Sequence, residues 1–143
     1  RVGYLLAAPD LVKEINKARL PYNLNVFSQA AALAALAGWD GLRGTVEGLI
    51  AAREDLLHRL YRIPGVRPYP SQANFILFEL QQADPKAVFD SVLRRGVLIR
   101  DVTGYPRLQR CLRVSVGSEE QNQAFLGALR HALEEQRFQK GAK

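Results

Sequence analysis

Methionine is absent from the 143 residues, and cysteine and tryptophan each occur once. The single Cys111 has no partner for an internal disulfide, which fits a reducing compartment, and we expect a cytoplasmic protein. With no methionine anywhere and Arg1 as its first residue, the chain reads as a fragment of a longer protein. No apolar run approaches the roughly 20 residues that a membrane-spanning helix needs, and no signal-peptide pattern opens the chain, so no membrane partner is expected. Metal-ligand spacing, a Gly-rich phosphate loop and a Ser/His/Asp arrangement are all missing too. His58 and His131 fall mid-helix among charged neighbours and read as surface or half-buried side chains, and no repeat or low-complexity tract occurs. Lysine and arginine outnumber acids 20 to 14, a net charge of +6 that would suit a nucleic-acid binder. The cations are scattered among acids, however, as in Arg53-Glu54-Asp55 and Lys13-Glu14. We therefore expect no nucleic-acid partner, and a small basic nucleic-acid-binding domain stands as the alternative from another class.

What is present is ordinary for a folded domain, with 48% hydrophobic and 24% charged residues. Residues 1–8 read as a strand and residues 10–19 as a helix started at Pro9-Asp10. Ser28 is a suitable N-cap for the alanine-rich helix that Gly38 closes, and a helix so apolar must be buried in a core or an interface. Residues 39–62 form one long helix with Asp40 as its N-cap. Gly41, Gly44 and Gly48 weaken its first half and suggest a bend or close packing. Residues 66–69 and 74–80 are strand-like. A helix from Asp84 or Pro85 to Arg95 turns Val88, Phe89, Val92 and Leu93 inward and is capped by Gly96. Ser118 and Gln121 form a capping box that opens a last helix running to about Arg137, with Phe125, Leu126, Leu129 and Leu133 buried. Residues 138–143 should fray.

The stretch GVLIRDVTGYPRLQRCLRVSVG, residues 96–117, carries the chemistry. Val97, Leu98 and Ile99 lead into Arg100 and Asp101, whereas Leu112, Val114 and Val116 alternate with Arg113 and Ser115, so one face of that strand is apolar. Gly104 and Pro106 make a looped return between the two runs. Two permanent cations on neighbouring strands make a receptor for a carboxylate or phosphate, because a guanidinium fork fits either with two parallel hydrogen bonds. The alternative is that Arg100 pairs with Asp101 or another acid while Arg113 lies on a solvated face.

GVLIRDVTGYP followed by CLRVSVG closely resembles the end of the histidinol-phosphate aminotransferases, pyridoxal-phosphate enzymes of the aspartate aminotransferase fold. Arg1-Val2-Gly3-Tyr4 is similar to their strand just after the cofactor lysine, Pro21-Tyr22 to their PY turn, and Ser71-Gln72-Ala73-Asn74-Phe75 to a third landmark strand. The resemblance implies an α+β fold: the C-terminal small domain of a fold type I enzyme, a small mostly antiparallel sheet with helices on one face. Residues 1–38 would be the remnant of the large cofactor-binding domain, residues 39–65 the long connecting helix, and residues 66–143 the small domain.

It also implies an amino-group exchange between histidinol phosphate and 2-oxoglutarate in histidine biosynthesis, with small phosphate and dicarboxylate substrates and a homodimer as the full-length protein. Threonine-phosphate decarboxylases and aromatic aminotransferases share the arginine strand and remain alternatives. By resemblance Arg113 binds the α-carboxylate of glutamate and the phosphate of histidinol phosphate, with Arg100 as the second arginine of that pocket. Asn74 either orients Arg113, touches substrate, or satisfies strand-edge backbone groups. Arg1 contacts the cofactor phosphate or is an exposed terminal side chain, and Tyr22 lines the cofactor side, meets the other subunit, or simply packs. The lysine that holds pyridoxal 5'-phosphate as a Schiff base would lie before Arg1, so no catalytic residue is expected here. The fragment alone should be inactive and should not hold the cofactor.

Overall fold

The computed structural model describes residues 2–141, with side chains described as far as Phe138. The chain divides into two compact units, Arg1–Gly44 and Thr45–Lys143, and the division falls inside its longest N-terminal helix.

In the first unit, α1 (Pro9–Lys17) starts with proline, where the missing N–H would be unpaired anyway, and places Asp10 and Lys17 at the ends that suit the helix dipole. The N-cap of α2 (Val26–Ala37) is Asn25, whose side chain accepts the Ser28 N–H at 2.8 Å. Ser28, expected as the cap, is thus the third helical residue, and Gly38 closes the helix as expected. No residue of α1 or α2 is buried, and Leu33 and Leu36 are 69% and 70% exposed. So apolar a helix left in water is a surface that requires cover. Residues 2–8 form no strand, contrary to the sequence reading. A strand needs a neighbour to take its backbone hydrogen bonds, and the described residues supply none there.

The second unit contains the core. The long helix α3 (Trp39–Tyr61) buries Leu56, Leu57 and Leu60, while Leu42, Val46, Leu49 and Ile50 along the same stripe stay exposed. Asp40 lies in its first turn, and a Cβ at Gly41, Gly44 or Gly48 would meet nothing, so those glycines are not sites of close packing among the described residues. Four antiparallel strands follow in the order β1-β2-β4-β3: β1 (Val66–Pro68), β2 (Phe75–Leu80), β3 (Arg100–Asp101) and β4 (Cys111–Ser115). Ile76, Phe78 and Leu80 of β2 face inward, and the register sets Ile76 opposite Val114 and Phe78 opposite Leu112. This apolar face is covered by α4 (Pro85–Arg94) and α5 (Glu119–Gly141), with the Phe78 and Phe125 rings 5.8 Å apart and tilted by 55°. The result is an α+β layer with helices on one face of the sheet.

Local signals in this unit act as written. Asp84 caps α4 by accepting the Ala87 N–H, and Gly96, with φ of 78°, makes the left-handed turn after it. Ser118 and Gln121 form both halves of the capping box, Gln121 N–H to Ser118 Oγ at 3.3 Å and Ser118 N–H to Gln121 Oε1 at 2.9 Å. Two expectations fail, one at a helix face and one at a helix end. Leu93 is 45% exposed, and its expected place facing the core is taken by Ser91, which is buried. The last helix also continues to Gly141, past Arg137.

Ser91 is buried because it joins α4 to α5. Its hydroxyl donates to Glu135 Oε2 at 2.6 Å, and Arg95 donates both to Ser91 Oγ and to Glu135 Oε1. The Ser91 hydroxyl first, and Arg95 second, hold the Glu135 carboxyl below the ordinary glutamate range. A carboxyl whose folded value is lowered stabilises the fold above the ordinary range and loses that contribution as pH falls through the folded value. Glu135→Gln should therefore lower the urea midpoint at pH 7, with the gap from wild type closing below about pH 4. Equal midpoints at pH 7 would contradict the clamp.

Candidate functional site

Antiparallel pairing of β3 with β4 sets Arg100 directly opposite Arg113. Because Leu112 and Val114 point into the core, strand alternation turns Arg113 to the other face of the sheet, together with Phe75 and Leu77 of β2. These four residues, with Val102, Tyr105 and Leu108 from the loop of residues 102–110, line a pocket of about 330 Å3. The two arginines expected to act together are thus brought together.

Neither guanidinium is paired with an acid among the described residues. Asp101, adjacent to Arg100, instead accepts the Thr103 N–H at 2.8 Å. That backbone bond and the Thr103 hydroxyl hold its carboxyl below the ordinary aspartate range, with Lys86 and Arg100 as lesser influences. Glu79, the acid on the open face of β2, accepts from the Tyr69 hydroxyl at 2.7 Å and lies 3.9 Å from Arg67. Its carboxylate in turn pushes the Tyr69 phenol above its ordinary range. Arg113 Nε is buried without a hydrogen-bond partner, and Arg113 Cζ lies 4.6 Å from the centre of the Phe75 ring. Two unneutralised cations with apolar walls form a site for an anion with two or more acceptor oxygens.

A larger groove of about 670 Å3 runs between α3 and residues 70–74, but its arginine, Arg53, is tied to Glu54 at 2.6 Å. Asn74 lines this groove and not the arginine pocket. It precedes β2 in step with Ile76 and Phe78, the opposite alternation from Arg113, and its carbonyl accepts the Val116 N–H at 2.9 Å. That bond is made by the main chain, and the side chain is not joined to the two arginines. Tyr22 is fully exposed at a left-handed turn after Pro21, with φ of 54°. Arg1 lies outside the described residues.

A family profile described as "Aminotransferase class I and II" matches residues 1–129. The chain belongs to that family. It is 42% identical over 131 residues to histidinol-phosphate aminotransferase 2 of Nitrosococcus oceani, covering 91% of this chain and 36% of that protein. With histidinol-phosphate aminotransferase of Aquifex aeolicus it shares 40% over 134 residues, 93% of this chain and 38% of the relative. The chain thus spans little more than a third of the length of these curated relatives. Among solved structures, L-threonine-O-3-phosphate decarboxylase from Porphyromonas gingivalis superposes with a TM-score of 0.71 at 25% identity, covering 90% of this chain and 40% of that one. Histidinol-phosphate aminotransferase from Sinorhizobium meliloti, in complex with pyridoxal-5'-phosphate, gives 0.70 at 25%, with 91% and 36% covered.

Among the described residues of this aminotransferase segment, Lys13 and Lys17 are exposed and paired with Asp10 and Glu14, and no lysine lines the arginine pocket. What the described residues bring together is two unneutralised guanidinium groups in one pocket. Sequence reasoning missed Phe75, Tyr105 and Leu108 as walls of that pocket. The alternation in NFILFEL, continued to the odd-numbered positions, is the signal that places Phe75 and Leu77 on the Arg113 face, whereas no periodicity marks the loop residues.

Asp101 fixes the start of that loop. Asp101→Ala leaves the Thr103 N–H without its acceptor and should speed amide hydrogen exchange across residues 102–105 by about tenfold. Unchanged protection would show that the carboxylate does not hold the loop.

Proposed function

We propose that this chain is the substrate-anchoring C-terminal part of a pyridoxal-phosphate-dependent aminotransferase that converts histidinol phosphate and 2-oxoglutarate to imidazole acetol phosphate and glutamate. The observation that carries the reading is the pair of unneutralised guanidinium groups, Arg100 and Arg113, facing one pocket from adjacent strands. Arg113 grips the carboxylate of the dicarboxylate substrate in one half of the exchange and the phosphate of histidinol phosphate in the other. Arg100 adds a second positive charge at the same end. Leu77, Val102 and Leu108 thin the water around the contact, which strengthens each charge-assisted hydrogen bond. When bound in the parent protein, pyridoxal phosphate supplies the electron sink for moving the amino group.

By resemblance, the lysine, the acid and the stacking aromatic that serve the cofactor belong to the large domain, and residues 1–38 are its C-terminal remnant. In the parent, Arg1 would meet the cofactor phosphate and Tyr22 the cofactor side or the subunit boundary. The uncovered apolar surface of α2 supports burial against the rest of the parent or a second subunit of a homodimer. The lone, buried thiol of Cys111 is consistent with the cytoplasm. A threonine-phosphate decarboxylase is the second reading, favoured by the likeness to the Porphyromonas gingivalis structure. A nucleic-acid-binding role has little support, because Arg53, Arg59 and Arg95 are each paired with acids and form no open basic stripe.

In the full-length protein, Arg113→Ala should lower kcat/KM for histidinol phosphate by about 100-fold, the value of a charge-assisted bidentate contact. An unchanged kcat/KM would contradict the anchor. Faster turnover of threonine phosphate than of histidinol phosphate by the wild-type protein, with release of CO2, would select the second reading.

A further inference from the structure

We propose that Phe75 is a positioning residue for Arg113, its ring face orienting the guanidinium so that the terminal nitrogens meet the incoming acid. The proposal rests on the reading of Arg113 as the anchor and extends it to a residue with no polar atom in its side chain.

Arginine carries several rotatable bonds, and a guanidinium without a protein partner would otherwise sample many orientations. Arg113 has no acid or carbonyl to fix it among the described residues, yet its Nε is buried while only the terminal nitrogens remain open. The guanidinium lies over the Phe75 ring, 4.6 Å from Cζ to the ring centre, well inside the distance at which a cation is drawn to an aromatic face. Sheet register produces the contact. Phe75 is opposite Ser115 and Leu77 is opposite Arg113, so Phe75 and Arg113 are diagonal neighbours on one face, a separation that an aromatic and a long side chain can bridge. The other diagonal neighbour, Glu79 opposite Cys111, is occupied by Tyr69. The ring therefore orients the cation without neutralising it, which a carboxylate in its place would do.

The test uses the full-length enzyme with Phe75→Leu, Phe75→Tyr, Phe75→Trp, Arg113→Ala and the double variant F75L/R113A, cofactor absorbance serving as the check on folding. Leucine keeps an apolar side chain at this half-buried position but removes the π face. F75L should raise KM for histidinol phosphate and for glutamate by between about 3-fold and about 30-fold, with a smaller effect on kcat. Phe75→Tyr and Phe75→Trp should keep KM within about twofold of wild type, because either ring presents a face to the cation. The double variant should be no worse than R113A alone, since the ring acts only through the arginine.

Phe75 loses the role if F75L leaves KM unchanged, if the two single effects add in the double variant, or if tyrosine and tryptophan are as damaging as leucine. Where the leucine variant fails to fold, the aromatic variants decide alone: KM within about twofold of wild type in both supports the role, and a larger rise in both overturns it. R113A with a raised KM beside a silent F75L would leave the anchor standing and remove only Phe75. An unchanged KM in R113A would remove the anchor itself, and the proposal with it.

Discussion

Two like charges set directly opposite each other on neighbouring strands repel, at a cost of about 0.2–1 kcal/mol, and Arg100 and Arg113 stand in that relation. The sheet holds them there because its other face is fully committed. Ile76, Phe78, Leu112 and Val114 are locked against α4 and α5, and slipping β4 by one residue would drive Arg113 into the core and expose Leu112 and Val114. Burial on one side thus fixes the cations on the other. An acid entering the pocket relieves the repulsion, which is why the pair reads as a receptor and not as a flaw in the fold.

The surroundings keep the two arginines unneutralised. Asp101 is turned to its own loop and Glu79 to Tyr69, so the two acids placed to quench the pair are both engaged elsewhere. The far end of the same loop is tied down by Arg110, which donates to the carbonyls of Leu80 at 2.7 Å and Ala83 at 3.0 Å. Loop, strand register and aromatic floor converge on one requirement: positive charge left available at a surface with apolar walls. That requirement, added to membership of the class I and II aminotransferases, supports the proposal that this part of the chain anchors substrate.

Much of this was legible in the residues because the signals are local. Alternation in CLRVS assigned Leu112 and Val114 to the core and Arg113 to the open face, and the capping box at Ser118 and Gln121 formed in both directions. Readings failed where the deciding partner lies far away in sequence or outside the described residues. Residues 2–8 have strand composition but pair with no strand among the described residues. Ser91, to which the sequence reading gave no role, is buried on α4 where Glu135, 44 positions later, accepts its hydroxyl. Asn74 sat beside the right strand but out of phase with Arg113, and Phe75, one position on, was in phase.

The most direct measurement is a crystal structure of the full-length protein with a dicarboxylate or phosphate substrate analogue bound. The account predicts both terminal nitrogens of Arg113 within hydrogen-bond distance of the analogue's acidic oxygens, with Arg100 at the same end. An analogue whose acidic group lies elsewhere, with Arg113 paired instead to a carboxylate of the protein, would contradict it.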